Sequence, residues 1–175
     1  MSEIIVKKED ITKMNVEAIV NAANKTLLGG GGVDGAIHLA AGPELYKECK
    51  KLNGCNVGEA KITAGFNLKV DYIIHTVGPK YTGADRDELL LRSCYRNSLE
   101  VAKRNDVHSI AFPGISTGKF RYPQYEATVA AVDEIKKWFE LNPEYNITVY
   151  LVCINSSVEE IYINVLEKFR EDKLH

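Results

Sequence analysis

The chain has 175 residues, which suits one domain and is long enough to bury a substantial core. Its hydrophobic fraction of 45% and charged fraction of 26% are ordinary for a soluble globular protein. A formal charge of −2 argues against an electrostatic grip on bulk nucleic acid but admits one small anionic ligand, since backbone amides bind phosphate without net charge. The opening residues, Met1 to Asp10, contain no apolar core of the kind a signal peptide has. No apolar run approaches the roughly 20 residues that a membrane helix needs. A cytoplasmic protein is expected.

Apolar runs rich in β-branched residues predict strands at Ile4–Val6, Ala18–Val20, Ala60–Thr63, Tyr72–Val77, Ser109–Phe112 and Ile147–Cys153. The central ones do not alternate strictly, as expected of strands covered on both faces. Helical periodicity lies between them. Gly35–Ala41 and Pro43–Leu52 form an early pair broken at Gly42-Pro43. Longer amphipathic stretches run over Glu88–Asn105, Tyr125–Leu141 and Val158–Glu171. Strands alternating with long helices predict an α/β layered sandwich with a mainly parallel sheet. Such sheets hold ligands beyond the carboxyl ends of their strands, so the loops after Val20, Val77, Phe112 and Ile154 are the candidate site.

The first of these loops, residues 21–35, contains Gly29, Gly30, Gly31 and Gly32 in succession. Such a run is entropically costly and makes sense where several N–H groups must point at one anion. Asp34 stands where a helix is expected to begin, a favoured capping position. No Lys-Ser or Lys-Thr follows the glycines, and they are not spaced as in a dinucleotide fingerprint, so neither phosphate motif applies. Asn21 is read as satisfying loop backbone groups. Asn24 has the same option, and its amide, which both donates and accepts, also suits a ribose diol.

The loop after Phe112 reads Pro113-Gly114-Ile115-Ser116-Thr117-Gly118-Lys119-Phe120-Arg121-Tyr122-Pro123. Ser116, Thr117 and Gly118 offer hydroxyls and amides to a phosphate at the approach to a helix, and Phe120 offers an apolar face to a sugar. Two glycine-bearing loops at strand ends, each opening a helix, point to a phosphate-containing ligand. The four cysteines, Cys49, Cys55, Cys94 and Cys153, form no C-x-x-C pair and have no histidine at metal-ligand spacing. They read as reduced thiols.

Several segments together resemble the macro domain family in its MacroD-like branch. They are Glu9-Asp10-Ile11-Thr12, the run from Ala18 to Asn24, the run from Gly29 to His38, Ala40 to Pro43, Ile74 to Pro79, and Ile115 to Gly118. The resemblance implies a three-layer α/β/α sandwich around a mixed, mainly parallel sheet, with ADP-ribose as ligand. By position it implies that Asp10 accepts from the adenine amino group with the Ile11 amide beside it. The loops Gly29–Val33, with Gly30, Gly31 and Gly32, and Ser116–Phe120, with Thr117, Gly118 and Lys119, would wrap the diphosphate. Asn24, Asp34 and Phe120 would surround the distal ribose.

Branch members that keep Asn24 and Asp34 hydrolyse ADP-ribosyl esters. The resemblance therefore implies removal of mono-ADP-ribose from Asp or Glu of modified proteins and deacetylation of O-acetyl-ADP-ribose. Asn24 would hold the sugar, and Asp34 would orient or deprotonate water. The competing readings are a non-catalytic ADP-ribose reader and an ADP-ribose-1″-phosphate phosphatase. No metal or cofactor is implied, and a monomer is expected. His38 and His75 fit the family pattern and are read as structural packing residues. His108 and His175 attract no functional reading. Two positions depart from the family: Arg121 stands where a glycine is usual and is expected to point to solvent, and Ile154 replaces a frequent adenine-stacking aromatic.

Overall fold

The structure, a computed structural model, describes residues 1–172; His175 lies outside the described residues. The β-branched runs form six strands: β1 Glu3–Lys8, β2 Ala18–Ala22, β3 Ala60–Ala64, β4 Tyr72–Thr76, β5 Ser109–Phe112 and β6 Thr148–Cys153. Among the described residues there are five α-helices: α1 Gly32–Ala41 and α2 Pro43–Lys51 after β2, α3 Asp85–Arg104 after β4, α4 Gln124–Leu141 after β5 and α5 Ser156–Asp172 after β6. A single 3-10 turn, Ile11–Lys13, follows β1.

The strands form one sheet in the order β1-β6-β5-β2-β4-β3. Every neighbouring pair is parallel except the antiparallel β3–β4 edge. The sheet is thus mixed and mainly parallel, as the sequence leads one to expect. Alternate residues of the central strands point to opposite sides. Ala18, Val20, Ile74, Ile110, Phe112 and Leu151 pack under α3, α4 and α5 with Leu91, Leu99, Val132, Ile135 and Val165. Ile19, Ile73, Ala111 and Val152 pack under α1, α2 and the 3-10 turn with Ile11, Ile37, Leu45 and Cys49. This double coverage explains why the central strands read as continuous apolar runs. Each fully buried Ile or Leu contributes about 1.5–3 kcal/mol of transfer free energy.

The period-two rule also fixes where two polar residues fall. Asn21 and His75 are register partners in β2 and β4. They continue the side of Ile19 and Ile73, so both are buried beneath α1.

Candidate functional site

Five parallel strands end on the same side of the sheet, and each delivers residues to one cleft of about 920 Å³. Asp10 and Ile11 follow β1, Asn24 and Gly30–Asp34 follow β2, and Gly78 follows β4. Pro113, Gly114 and Ser116 to Phe120 follow β5, Val152 and Cys153 end β6, and Ile154 follows it. The candidate residues Asp10, Ile11, Asn24, Gly30, Gly31, Gly32, Val33, Asp34, Ser116, Thr117, Gly118, Lys119, Phe120 and Ile154 line this cleft, whereas Gly29, expected in the diphosphate loop, does not. Gln124, Val158 and Tyr162 also line it and carry no sequence signal of their own.

The glycine loop is held firmly. Leu27 is fully buried and anchors it in the core. Asn24 donates from Nδ2 to the Gly29 carbonyl at 2.9 Å, and its Oδ1 accepts from the Thr26 amide and hydroxyl at 3.1 and 2.7 Å. Helix α1 starts earlier than Asp34: Gly31 is its N-cap, and Gly32 opens it with φ at +58°. A left-handed start needs glycine, which is why the run extends that far. Asp34 is therefore not the cap but a first-turn residue, with only 5% of its surface exposed.

Buried polar groups need partners, and Asp34 has them. Its Oδ1 accepts from Asn21 Nδ2 at 2.8 Å and lies 3.4 Å from His38 Nε2. The other N–H of Asn21 meets His75 Nδ1 at 3.1 Å. Asn21 is thus a bridge between a carboxylate and a histidine, not a loop-backbone partner as its position at a strand end suggests. His75, wholly buried, is pushed down to about 3 by burial and by neighbouring His38, so it stays neutral. With Nδ1 accepting, its Nε2–H is free to donate to Thr63 Oγ1 at 3.0 Å. His75 is a packing residue, as expected. His38 is less satisfied than expected, since its buried Nε2 has no hydrogen-bond partner.

The second carboxylate oxygen of Asp34 turns to the cleft. A Cβ built on Gly30 would lie 3.3 Å from Asp34 Oδ2 and 3.3 Å from Asn24 Nδ2. An acceptor and a donor thus both stand beside Gly30 in the cleft, a pairing suited to a sugar hydroxyl or a water.

The second loop is pinned from below. Ser116 is left-handed, with φ at +66°, and its hydroxyl donates to the Pro79 carbonyl at 2.7 Å. The hydroxyl proton is used within the protein, so Ser116 has only its backbone N–H to donate to a ligand. Tyr122 N–H donates to the Ser116 carbonyl at 2.8 Å, and Tyr81 N–H to the Phe120 carbonyl at 2.8 Å. Among the described residues, no acceptor takes the N–H of Thr117, Gly118, Lys119 or Phe120. The first-turn amides of α1 likewise have no partner within the helix. Two sets of unpaired amides thus border one cleft, and Lys119 reaches across so that its Nζ lies 3.4 Å from a Cβ built on Gly31. This is an anion-binding arrangement.

At the far end Asp10 caps the 3-10 turn, its Oδ1 accepting from the Thr12 amide and hydroxyl at 3.0 and 2.7 Å. The Thr12 hydroxyl and amide hold its carboxyl below the usual range. Among the described residues no hydrogen bond uses its Oδ2. Ile154 stands at the rim, 81% exposed, rather than deep in the wall. Among the described residues no group of three or more His, Cys, Asp or Glu side chains could hold a metal ion, and no helix is long and apolar enough to cross a membrane.

Comparison with known proteins agrees with this geometry. The family model described as Macro domain matches residues 20–131. A macro domain-containing protein of Mesorhizobium japonicum is 51% identical over 174 residues, covering 98% of this chain and 97% of its own. The human protein named ADP-ribose glycohydrolase MACROD2 is 46% identical over 165 residues; the match covers 91% of this chain but 38% of that much longer one. Among solved structures, a Trypanosoma brucei macrodomain in complex with ADP-ribose superposes with a TM-score of 0.88 at 39% identity, covering 93% of this chain and 68% of that one.

Proposed function

This chain belongs to the macro domain family, and from that premise we propose that it binds ADP-ribose in the cleft and hydrolyses ADP-ribosyl esters. The substrates are mono-ADP-ribose on Asp or Glu of modified proteins and O-acetyl-ADP-ribose, and the place of action is the cytoplasm. The observation that carries the reading is that Asn24 Nδ2 and Asp34 Oδ2 both stand beside Gly30, next to two sets of unpaired amides.

In this reading the diphosphate lies between the start of α1 and residues 117–120, where N–H groups and the Lys119 ammonium meet its charge. The unused oxygen of Asp10 accepts from the adenine amino group, and the Ile11 amide lies beside it. Ile154 and Val152 supply apolar contact to the base in place of aromatic stacking. The distal ribose sits against Phe120, with its hydroxyls between Asn24 and Asp34.

Hydrolysis adds the oxygen of water to the anomeric carbon or the acyl carbon. The ester C–O bond breaks, and ADP-ribose and a carboxylic acid are released. Asn24 fixes the sugar, and Asp34, oriented by Asn21, directs the water. Such positioning acts mainly through the transition state, so its loss appears in turnover more than in affinity.

The test is incubation with a protein mono-ADP-ribosylated on Asp or Glu, reading released ADP-ribose. Asn24→Ala and Asp34→Ala should lower kcat at least tenfold more than they weaken ADP-ribose binding. Tight binding without release would make the protein a reader. Release of phosphate from ADP-ribose-1″-phosphate alone would make it a phosphatase. Equal turnover in folded wild type and Asp34→Ala would remove Asp34 from the chemistry.

A further inference from the structure

The loops that frame the Phe120 end of the cleft have an unusual charge distribution. The chain carries 24 acidic and 22 basic residues. Yet residues 21–35, 78–82 and 113–125 contain Lys25, Lys80, Lys119 and Arg121 against a single acid, the buried Asp34. All four cations are exposed. Among the described residues none of them forms a salt bridge, whereas Arg92, Arg96, Lys47, Lys51 and Lys137 all do.

Their placement divides them by task. Lys119 turns inward over the glycine loop, 3.4 Å from a Cβ built on Gly31. Lys80 lies over the ring of Phe120, its Nζ 5.7 Å from the centroid, and belongs to a buried-to-exposed turn after Pro79. Arg121 follows Phe120 directly and stays exposed on a left-handed backbone, with φ at +62°. Lys80 thus stands over the Phe120 ring and Arg121 next to Phe120 in the chain, and neither is among the residues lining the cleft. The opposite end of the cleft is lined by Glu9 and Asp10, whereas the acid near Phe120, Asp34, is buried and held by Asn21.

We propose that Lys80 and Arg121 form a docking rim for the acidic peptide segment that carries the ADP-ribosyl group, so that the enzyme prefers modified residues with Asp or Glu neighbours. The proposal rests on the function proposed above. The occupant follows from charge complementarity and from position. An ADP-ribose held with its distal ribose against Phe120 projects its linked chain past these two side chains. A run of carboxylates there gains attraction from two unpaired cations, and a run of lysines is repelled. Both cations are exposed, so the gain is modest and screened by salt.

The experiment compares peptides that carry ADP-ribose on a central residue through a hydrolysis-resistant linkage. The flanks are acidic, neutral or basic, and the reference is free ADP-ribose. Dissociation constants are measured at about 50 and about 300 mM salt. Wild type should bind the acidic-flanked peptide about 5–10-fold more tightly than the neutral one at low salt, and the difference should fall towards unity at high salt. In the double variant Lys80→Gln with Arg121→Asn the preference should drop below about twofold, while affinity for free ADP-ribose stays within about twofold. Asparagine is chosen because it tolerates the left-handed backbone.

Equal binding of all flanks overturns the proposal, as does a preference that survives the double variant. So does a parallel loss for free ADP-ribose, which would assign the cations to the diphosphate. A single-stranded oligonucleotide that binds with the same dependence on Lys80 and Arg121 would assign the rim to nucleic acid instead. Failure of wild type to bind free ADP-ribose is a separate result: it overturns the function proposed above and removes this proposal with it.

Discussion

Replacing Gly35 by alanine sets two local effects against each other. Gly35 lies inside α1, where alanine is intrinsically favoured by about 1 kcal/mol. A Cβ there would lie 2.4 Å from the Gly30 carbonyl oxygen, against the roughly 3.3 Å at which carbon and oxygen ordinarily meet. The obstacle is backbone, so no rotamer relieves it; the carbonyl or the helix must move by about 1 Å. Overpacking of this kind costs about 1–3 kcal/mol, so the net change runs from near zero to about 2 kcal/mol destabilising. For a domain of this size that lowers Tm by up to roughly 4–8 °C. The functional effect should be larger than the stability effect. Gly30 is the residue beside which Asn24 and Asp34 both stand, and a misplacement of about 1 Å can cost on the order of 100-fold in rate. Thermal unfolding, ADP-ribose calorimetry and ester hydrolysis are measured on the same preparation. A raised Tm with unchanged turnover would mean that helix propensity prevails and that the Gly30 carbonyl is not pinned.

Asp10→Ala should weaken ADP-ribose binding by roughly 1.5–3 kcal/mol through one charge-assisted hydrogen bond, and should cost up to about 1 kcal/mol of stability through the lost cap of the 3-10 turn; unchanged affinity by calorimetry removes it from the adenine site. Arg121→Gly relieves a left-handed side chain, worth about 1–2 kcal/mol, against about 0.5–1 kcal/mol for glycine's greater unfolded freedom. Its Tm should hold or rise, with ADP-ribose affinity unchanged, and a fall in Tm refutes the strain argument. His75 has a folded value near 3, below its ordinary 6.5, so between those values the unfolded chain holds a proton that the native chain lacks. Its contribution is complete above pH 6.5 and is lost as pH falls, by at most about 1.4 kcal/mol per unit. A folded His75→Gln should show a flatter decline in denaturant midpoint over that range, and an unchanged slope would contradict the burial argument.

The elements of this fold were legible because their signals are local. Period two in the strands and 3.6 in the helices survive in any window of the chain, and each strand and helix appeared within a few residues of its expected place. The cleft was legible too, since consecutive glycines and the Ser-Thr-Gly loop announce amides that must face something. The two loops are compositional features that do not depend on distant residues.

The polar network under the cleft could not be read that way. Asn21 and Asp34 are 13 residues apart, and Asn21 and His75 are 54 apart. Whether they touch depends on β2 lying between β4 and β5 and on which side of the sheet α1 packs. Strand order is a property of the whole chain, so Asn21 looked like a strand-end asparagine until its neighbours were in place. The start of α1 was set by the same tertiary context. Gly32 can take a left-handed angle that lets the helix begin earlier, and this carries Asp34 from an exposed cap into a buried first turn. The rim position of Ile154 and the commitment of the Ser116 hydroxyl to Pro79 likewise follow from how separate loops meet. The residues and their chemistry were written in the sequence. Which oxygen of Asp34 is held and which is left facing the cleft was decided by packing, because burial obliges each polar atom to find a partner from wherever the fold brings one.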